Sequence, residues 1–216
     1  MKTVTSSVNK KIVILGAGGF GREVATLLKD CGYQVPGFLD QLRKLPDGLP
    51  PVLGDDSLLE TLLEQGVNNL AIAVAEPEIR KKLFKKVKKM GFSLPAIVHP
   101  KAYVAESVSV KEGCIIYPMA VIMNGCRLRE SCLINSNVSL GHDTEIGAFS
   151  NINPGARLGG NIVVGEQCYI GIGATVIEKL TIGSNSVIAA GACAIKDIPK
   201  SVMCAGVPAQ IKKDIL

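Results

Sequence analysis

The chain has 216 residues, 47% of them hydrophobic, enough apolar material for the core of one large domain or two small ones. Its formal charge of +5 is too small to point to nucleic acid, but it suits a small phosphate-bearing ligand. The opening MKTVTSSVNK has no apolar run like that of a signal peptide, and no later segment offers about eighteen consecutive apolar residues. The expectation is therefore a cytoplasmic protein with no membrane partner. The 7 cysteines include no CxxC pair and no His/Cys cluster at ligand spacing, so reduced thiols and no metal are expected.

Residues 11–98 alternate between strand and helix patterns. KIVIL (11–15) is an apolar run, GAGGFG follows it, REVATLLKD (22–30) has helical spacing, and VPGFLD (35–40) reads as a second strand. Asp55 or Asp56 is placed to cap a helix through Gln65; NLAIAVA (69–75) reads as a third strand and LPAIV (94–98) as a fourth. PEIRKKLFKKVKKM (77–90) sets Ile79, Leu83, Phe84, Val87 and Met90 on one helical face, with lysines on a solvated one. Strands joined by crossover helices predict a small Rossmann-like parallel sheet.

From Val104 the period changes. Aliphatic residues recur at a strict spacing of six from Val104 through Ile134, Leu140 and Ile146 to Ile188, a run whose chance probability is about 10⁻⁸ and which defines a hexapeptide repeat. A period of six suits a triangular coil with three short strands per turn, so residues eighteen apart stack about 4.8 Å above one another. The columns fit. One reads Ala102, Ala120, Val138, Ala156, Ala174, Ala192, and another Cys114, Cys132, Ser150, Cys168, Ser186: small side chains for a narrow interior, with a Cys114–Cys132 disulfide conceivable but disfavoured in a cytosolic protein. The position after the aliphatic holds Gly141, Gly147, Gly159, Gly165, Gly171 and Gly183, with Asn135 and Asn153, which predicts that the left-handed corners fall there. The fold expected is an α/β Rossmann-like domain over 1–98 followed by a parallel β-helix over 99–216, capped at one end by the first domain and at the other by the tail.

GAGGFG (16–21) fits GxGxxG between a strand and a helix, where backbone N–H groups approach a phosphate, and Asp40 ends the second strand, where a carboxylate accepts a ribose hydroxyl. The domain is too small for a full dinucleotide site, so a nucleotide-linked sugar fits better than NAD; the alternative is a glycine turn that only packs. His142 follows a corner glycine and is expected to leave the prism, with Asp143 able to fix its tautomer and raise its basicity. His99 has no such neighbour in sequence and is expected only to pack. No serine or cysteine nucleophile is poised beside a base, which favours direct acyl transfer.

The stretches "GAGGFGREV", "FLD", "EIRKK", "VHPKA", "INSNVSLGHD" and "AGVPA" together resemble the bacterial nucleotide-sugar acetyltransferases of the sialic-acid and bacillosamine pathways, from Lys11 to about Ile211. The resemblance implies a left-handed β-helix and a homotrimer. It places acetyl-CoA in a groove between adjacent prisms and the nucleotide sugar on the N-terminal domain. It further implies that His142 is the general base and Asp143 its acidic support. Gly18, Gly19, Phe20, Asp40, Gln41 and Ala75 match the substrate site, and Asn151, Ile172 and Ala190 the acetyl-CoA contacts. Some members carry histidine in place of Phe20 and Asn151. The expected reaction is N-acetylation of a UDP-linked 4-amino-4,6-dideoxy sugar. O-acetylation of sialic acid is the nearest rival, and a non-catalytic nucleotide-sugar scaffold is the rival of another class. A zinc-dependent carbonic anhydrase of the same fold needs three histidines, more than this prism carries.

Overall fold

The structure, a computed structural model, describes residues 11–41 and 45–215; the opening MKTVTSSVNK lies outside them. Four short parallel strands form the first sheet: β1 (Val13–Leu15), β2 (Phe38–Leu39), β3 (Val52–Gly54) and β4 (Leu70–Ile72), in the order β3-β2-β1-β4. Central β1 sets Ile14 opposite Phe38 and Ala71. Val13 and Ile14 are wholly buried, which is why this strand reads as a continuous apolar run and not as an alternating one.

Helix α1 (Gly19–Asp30) starts three residues before the expected Arg22, because the glycine turn feeds straight into it. Asp55 accepts from the Ser57 N–H at 3.0 Å and caps a 3-10 turn, Asp56–Leu58, that leads into α2 (Leu59–Glu64). Helix α3 (Pro77–Met90) fills its expected span, with Pro77 in its first turn and Gly91 at φ 98 ending it. Its inward face differs from the periodic one: Ile79 is half exposed and Arg80 is buried in its stead.

Two strand assignments change. β3, preceded by Pro50 and Pro51 and ending on Gly54, carries too short an apolar run to be read in sequence. The expected fourth strand instead yields β5 (Ile97–Val98), which pairs with Ile115–Ile116 of the second domain and opens its first face. An apolar run announces burial, not the sheet it will join.

From β5 onward the chain winds as a left-handed β-helix of two-residue strands. Register follows the spacing of eighteen on all three faces: Leu133 lies opposite Ile115 and Asn151, Leu140 opposite Ile122 and Leu158, and Ile146 opposite Leu128 and Val164. The first face begins at Ile97–Val98, the second at Tyr103–Val104 and the third at Ser109–Val110. Ala120, Val138, Ala156 and Ala174 are wholly buried where the first face turns into the second. The cysteine and serine column fills the turn from third face to first, and it does more than fill. Cys132 Sγ–H donates to the Gly147 carbonyl at 3.2 Å, Ser150 Oγ–H to Gly165 at 2.8 Å and Cys168 Sγ–H to Gly183 at 3.2 Å, satisfying corner carbonyls that no strand reaches. All seven cysteines lie among the described residues, and none is joined in a disulfide.

The left-handed residues are not the glycines and asparagines expected. Positive φ falls two positions later at each corner: Asn137 (57°), Asp143 (58°), Phe149 (61°), Gly155 (69°) and Asn161 (57°). The earlier glycines answer a different demand. A Cβ at Gly141 would stand 2.5 Å from the backbone carbon of Gly159, and one at Gly171 would stand 2.5 Å from the Ala190 nitrogen, so they permit coils to stack closely.

The tail closes the far end: Val202–Ala205 extends the first face, Gln210–Asp214 folds back antiparallel on it, and Ile198, Val202 and Cys204 join the prism core. The first domain meets the prism along the first face, spanning several coils. Its seat is the apolar outer side of that face, Ile97, Ile115, Tyr117 and Leu133, which packs with Val24, Leu27 and Leu28 of α1, while Ala148 and Phe149 at the neighbouring corner pack with Phe84 of α3. Phe149 and Phe84 meet edge to face at 5.4 Å. Lys81 of α3 reaches Glu166 at 3.3 Å and Lys88 reaches Glu112 at 2.7 Å, so part of the expected solvated lysine face bridges the domains.

Candidate active site

The glycine turn is shaped by close approach. Gly16 adopts φ 103, and a Cβ there would stand 2.7 Å from the Ala73 carbonyl oxygen. Asp40 Oδ2 accepts from the Ala17 N–H at 2.7 Å, fastening the end of β2 to the turn; Gln41 beside it is exposed. Gly18 caps α1 without a side-chain bond, and the first turn of α1 has no acidic residue, so its unpaired N–H groups and positive dipole end are open to an anion.

Beyond the turn, α1 faces the edge where the first face meets the second. Between them lies a cavity of about 380 Å³ lined by Phe20, Glu23, Ala75, Asn135, Asn151 and Asn153 among others. The Tyr117 hydroxyl donates to Glu23 Oε2 at 3.0 Å, and burial, aided by that carboxylate, pushes the phenol pKa far up, keeping it a donor. Gly19, Phe20 and Ala75 are thus brought together with Asn151. Asn151, expected beside acetyl-CoA, is 4% exposed and bonded across the domain boundary: Nδ2–H donates to the Ala75 carbonyl at 2.9 Å and Oδ1 accepts from Arg80 at 2.6 Å. Ile172, 57% exposed, and Ala190 follow the same edge, one coil apart, above the cavity.

Arg80 is the residue that sequence reasoning missed. In sequence it runs straight into Lys81 and Lys82, but its helical neighbours Leu83, Phe84 and Val87 lie on the apolar face, and the fold turns it inward with no exposure. It donates to the carbonyls of Val74 (2.9 Å), Ala75 (2.8 Å), Ser131 (3.2 Å) and Phe149 (2.7 Å) as well as to Asn151. Burial lowers its pKa to about 10, which leaves it charged at neutral pH.

His142 stands on the next edge, between the second and third faces. Its side chain is 63% exposed, and Nδ1 lies 2.8 Å from Asp143 Oδ2. Asp143 occupies the left-handed corner at φ 58, its N–H donating to the Asn124 carbonyl at 2.9 Å, so the backbone aims the carboxylate at its neighbour's ring. The carboxylate holds the proton on Nδ1 and leaves the Nε2 lone pair outward, the arrangement of a general base. The ring lies over Gly160: a Cβ built there would meet Nε2 at 2.6 Å and Cδ2 and Cε1 at 2.9 Å. His99 also has a carboxylate partner, contrary to expectation. Nε2 is 3.2 Å from Asp30 Oδ2, and Nδ1 accepts from the Lys101 N–H at 3.0 Å. It is buried and both nitrogens are engaged, so burial and not company separates the two histidines.

A hexapeptide prism with an outward His–Asp pair, flanked by an α/β domain with a glycine turn, defines a hexapeptide-repeat acyltransferase. Residues 11–87 match the family model described as the PglD N-terminal domain. Perosamine N-acetyltransferase (PerB) of Caulobacter crescentus, solved with CoA and GDP-perosamine, is 35% identical, covers 97% of this chain and 100% of its own, and superposes with a TM-score of 0.91. The acetyltransferase domain of PglB from Neisseria gonorrhoeae, solved with acetyl coenzyme A, is 34% identical over 95% of this chain and 100% of its own, at a TM-score of 0.90. WeeI of Acinetobacter baumannii is 26% identical over 93% and 99%, at 0.81. The chain belongs to the PglD-type nucleotide-sugar acetyltransferases. Among the described residues no helix is long and apolar enough to cross a membrane.

Proposed function

We propose that the chain transfers the acetyl group of acetyl-CoA directly to the amine of a nucleotide-linked 4-amino-4,6-dideoxy sugar, with His142 as general base. The observation that carries this is the His142–Asp143 pair at 2.8 Å on an exposed edge, in a chain of this family. The amine nitrogen attacks the thioester carbonyl, forming the C–N bond as its proton passes to His142 Nε2. The C–S bond then breaks, and the thiolate of coenzyme A takes the proton back from the imidazolium. Asp143 stabilises the imidazolium between the two transfers. The glycine turn at Gly18 and Gly19 receives the diphosphate, Asp40 and Gln41 lie on the nucleoside side, and Phe20 and Ala75 wall the sugar cavity. Asn151 faces both the sugar and the acyl group, and Ile172 and Ala190 line the path of the coenzyme.

We further propose a homotrimer with sites shared between prisms. In one chain the sugar cavity and His142 lie on different edges, so a complete site needs a second copy. The second face joins those edges, and Tyr103 (57% exposed), Met119 (60%), Val121 and Met123 give it an apolar patch that three-fold packing would cover.

The test is acetyl-CoA-dependent thiol release with UDP- and GDP-linked 4-amino sugars, and mass spectrometry of the product. His142→Ala is expected to lower kcat about 100-fold or more while sugar binding persists. Full turnover by that variant removes the base assignment, and a monomer by light scattering removes the shared site.

A further inference from the structure

Arg80 is a wholly buried cation whose bonds run to four carbonyl oxygens and one amide oxygen, none of them charged. Taking a guanidinium out of water is costly unless its donors are met with good geometry, and a leucine would serve mere packing of α3 on the prism. The bond to Asn151 has a consequence the others lack. A guanidinium only donates, so the amide atom facing it at 2.6 Å is the oxygen; a carbonyl only accepts, so the atom facing Ala75 O at 2.9 Å is the nitrogen. Both ends of Asn151 are fixed, with no flipped alternative. The oxygen points to a residue without exposure, while the nitrogen end lies beside Ala75 in the lining of the cavity, with a second N–H to offer.

We propose that Arg80 is a positioning residue for sugar recognition: by holding Asn151 Oδ1 it turns an N–H toward the cavity, so that this wall selects a hydrogen-bond acceptor, a hydroxyl or ring oxygen, on the sugar. The choice is made across the domain boundary, since Arg80 stands on α3 and Asn151 on the prism's first face. The proposal rests on the cavity being the sugar site of the proposed transferase.

Asn151→Asp separates this role from a structural one. Its carboxylate keeps the bond to Arg80 and supplies a counter-charge to the buried cation, so the melting temperature holds or rises, but an oxygen replaces the N–H. Affinity for the UDP- or GDP-linked 4-amino sugar that wild type binds, read by calorimetry on the intact protein, is expected to fall at least ~10-fold. The sugar KM rises by the same factor. Asn151→His retains one acceptor for Arg80 and one N–H for the cavity, and should bind within about threefold of wild type. Sugar binding by Asn151→Asp equal to wild type, or by Asn151→His as weak as Asn151→Asp, overturns the proposal. A wild type that binds the sugar but releases no thiol overturns only the transferase activity; one that binds neither sugar overturns both.

Discussion

Gly160 offers the sharpest test of how His142 is held. Its backbone is outside the left-handed region, so alanine fits the conformation and should stabilise the chain by roughly 0.4 to 1 kcal/mol through the unfolded state. The new methyl would stand 2.6 Å from His142 Nε2. Restoring ordinary contact moves that nitrogen by about 0.8 Å, and because the ring is exposed it moves without disturbing the core. A misplacement near 1 Å costs a positioned catalytic group on the order of 100-fold, so Gly160→Ala should lower kcat by about 10- to 100-fold with an equal or higher melting temperature. Gly141→Ala on the same edge is the contrast. Its Cβ would meet the Gly159 carbon and the Gly160 nitrogen, both at 2.5 Å, and backbone cannot swing aside, so stability itself falls. Thiol-release kinetics and scanning calorimetry read both. Gly160→Ala turning over within twofold of wild type would refute the claim that ring placement over Gly160 matters.

Two further outcomes concern the prism. Ala156→Leu adds three carbons to a wholly buried column and should cost roughly 1 to 3 kcal/mol, seen as a clear drop in melting temperature; an unchanged value contradicts the stacking. Cys132→Ser should be nearly neutral, within about 1 kcal/mol, because Ser150 already makes the equivalent bond one coil above; a large loss would mean that the column needs sulfur's size and not a donor.

The β-helix was legible because its rule is arithmetical: a narrow triangular interior admits an aliphatic residue at every sixth position and small ones at the turns, and nothing else in a globular chain repeats so strictly. The left-handed corners were misplaced because glycine has two uses. At Gly141 and Gly147 it answers a close backbone approach, while the positive φ two positions later falls on Asp143 and Phe149, whose N–H groups donate to Asn124 and Glu130 of the coil below. The glycine turn, Asp40 and the His142–Asp143 pair were readable because each depends on near neighbours or on a familiar spacing.

Sequence by itself determined the two periods, the place where one yields to the other, and the candidate base with its adjacent carboxylate, since these are local and repetitive. Only the tertiary structure decided that Ile97–Val98 belongs to the prism, that His99 meets Asp30, and that Arg80 turns inward to hold Asn151. Each of these joins residues 18 to 71 positions apart through a face whose partner no local pattern names. The same holds for the separation of His142 from the cavity beside α1: the spacing of six puts His142 and Asn153 on different edges, but only the packing of the first domain decides which edge the cavity occupies.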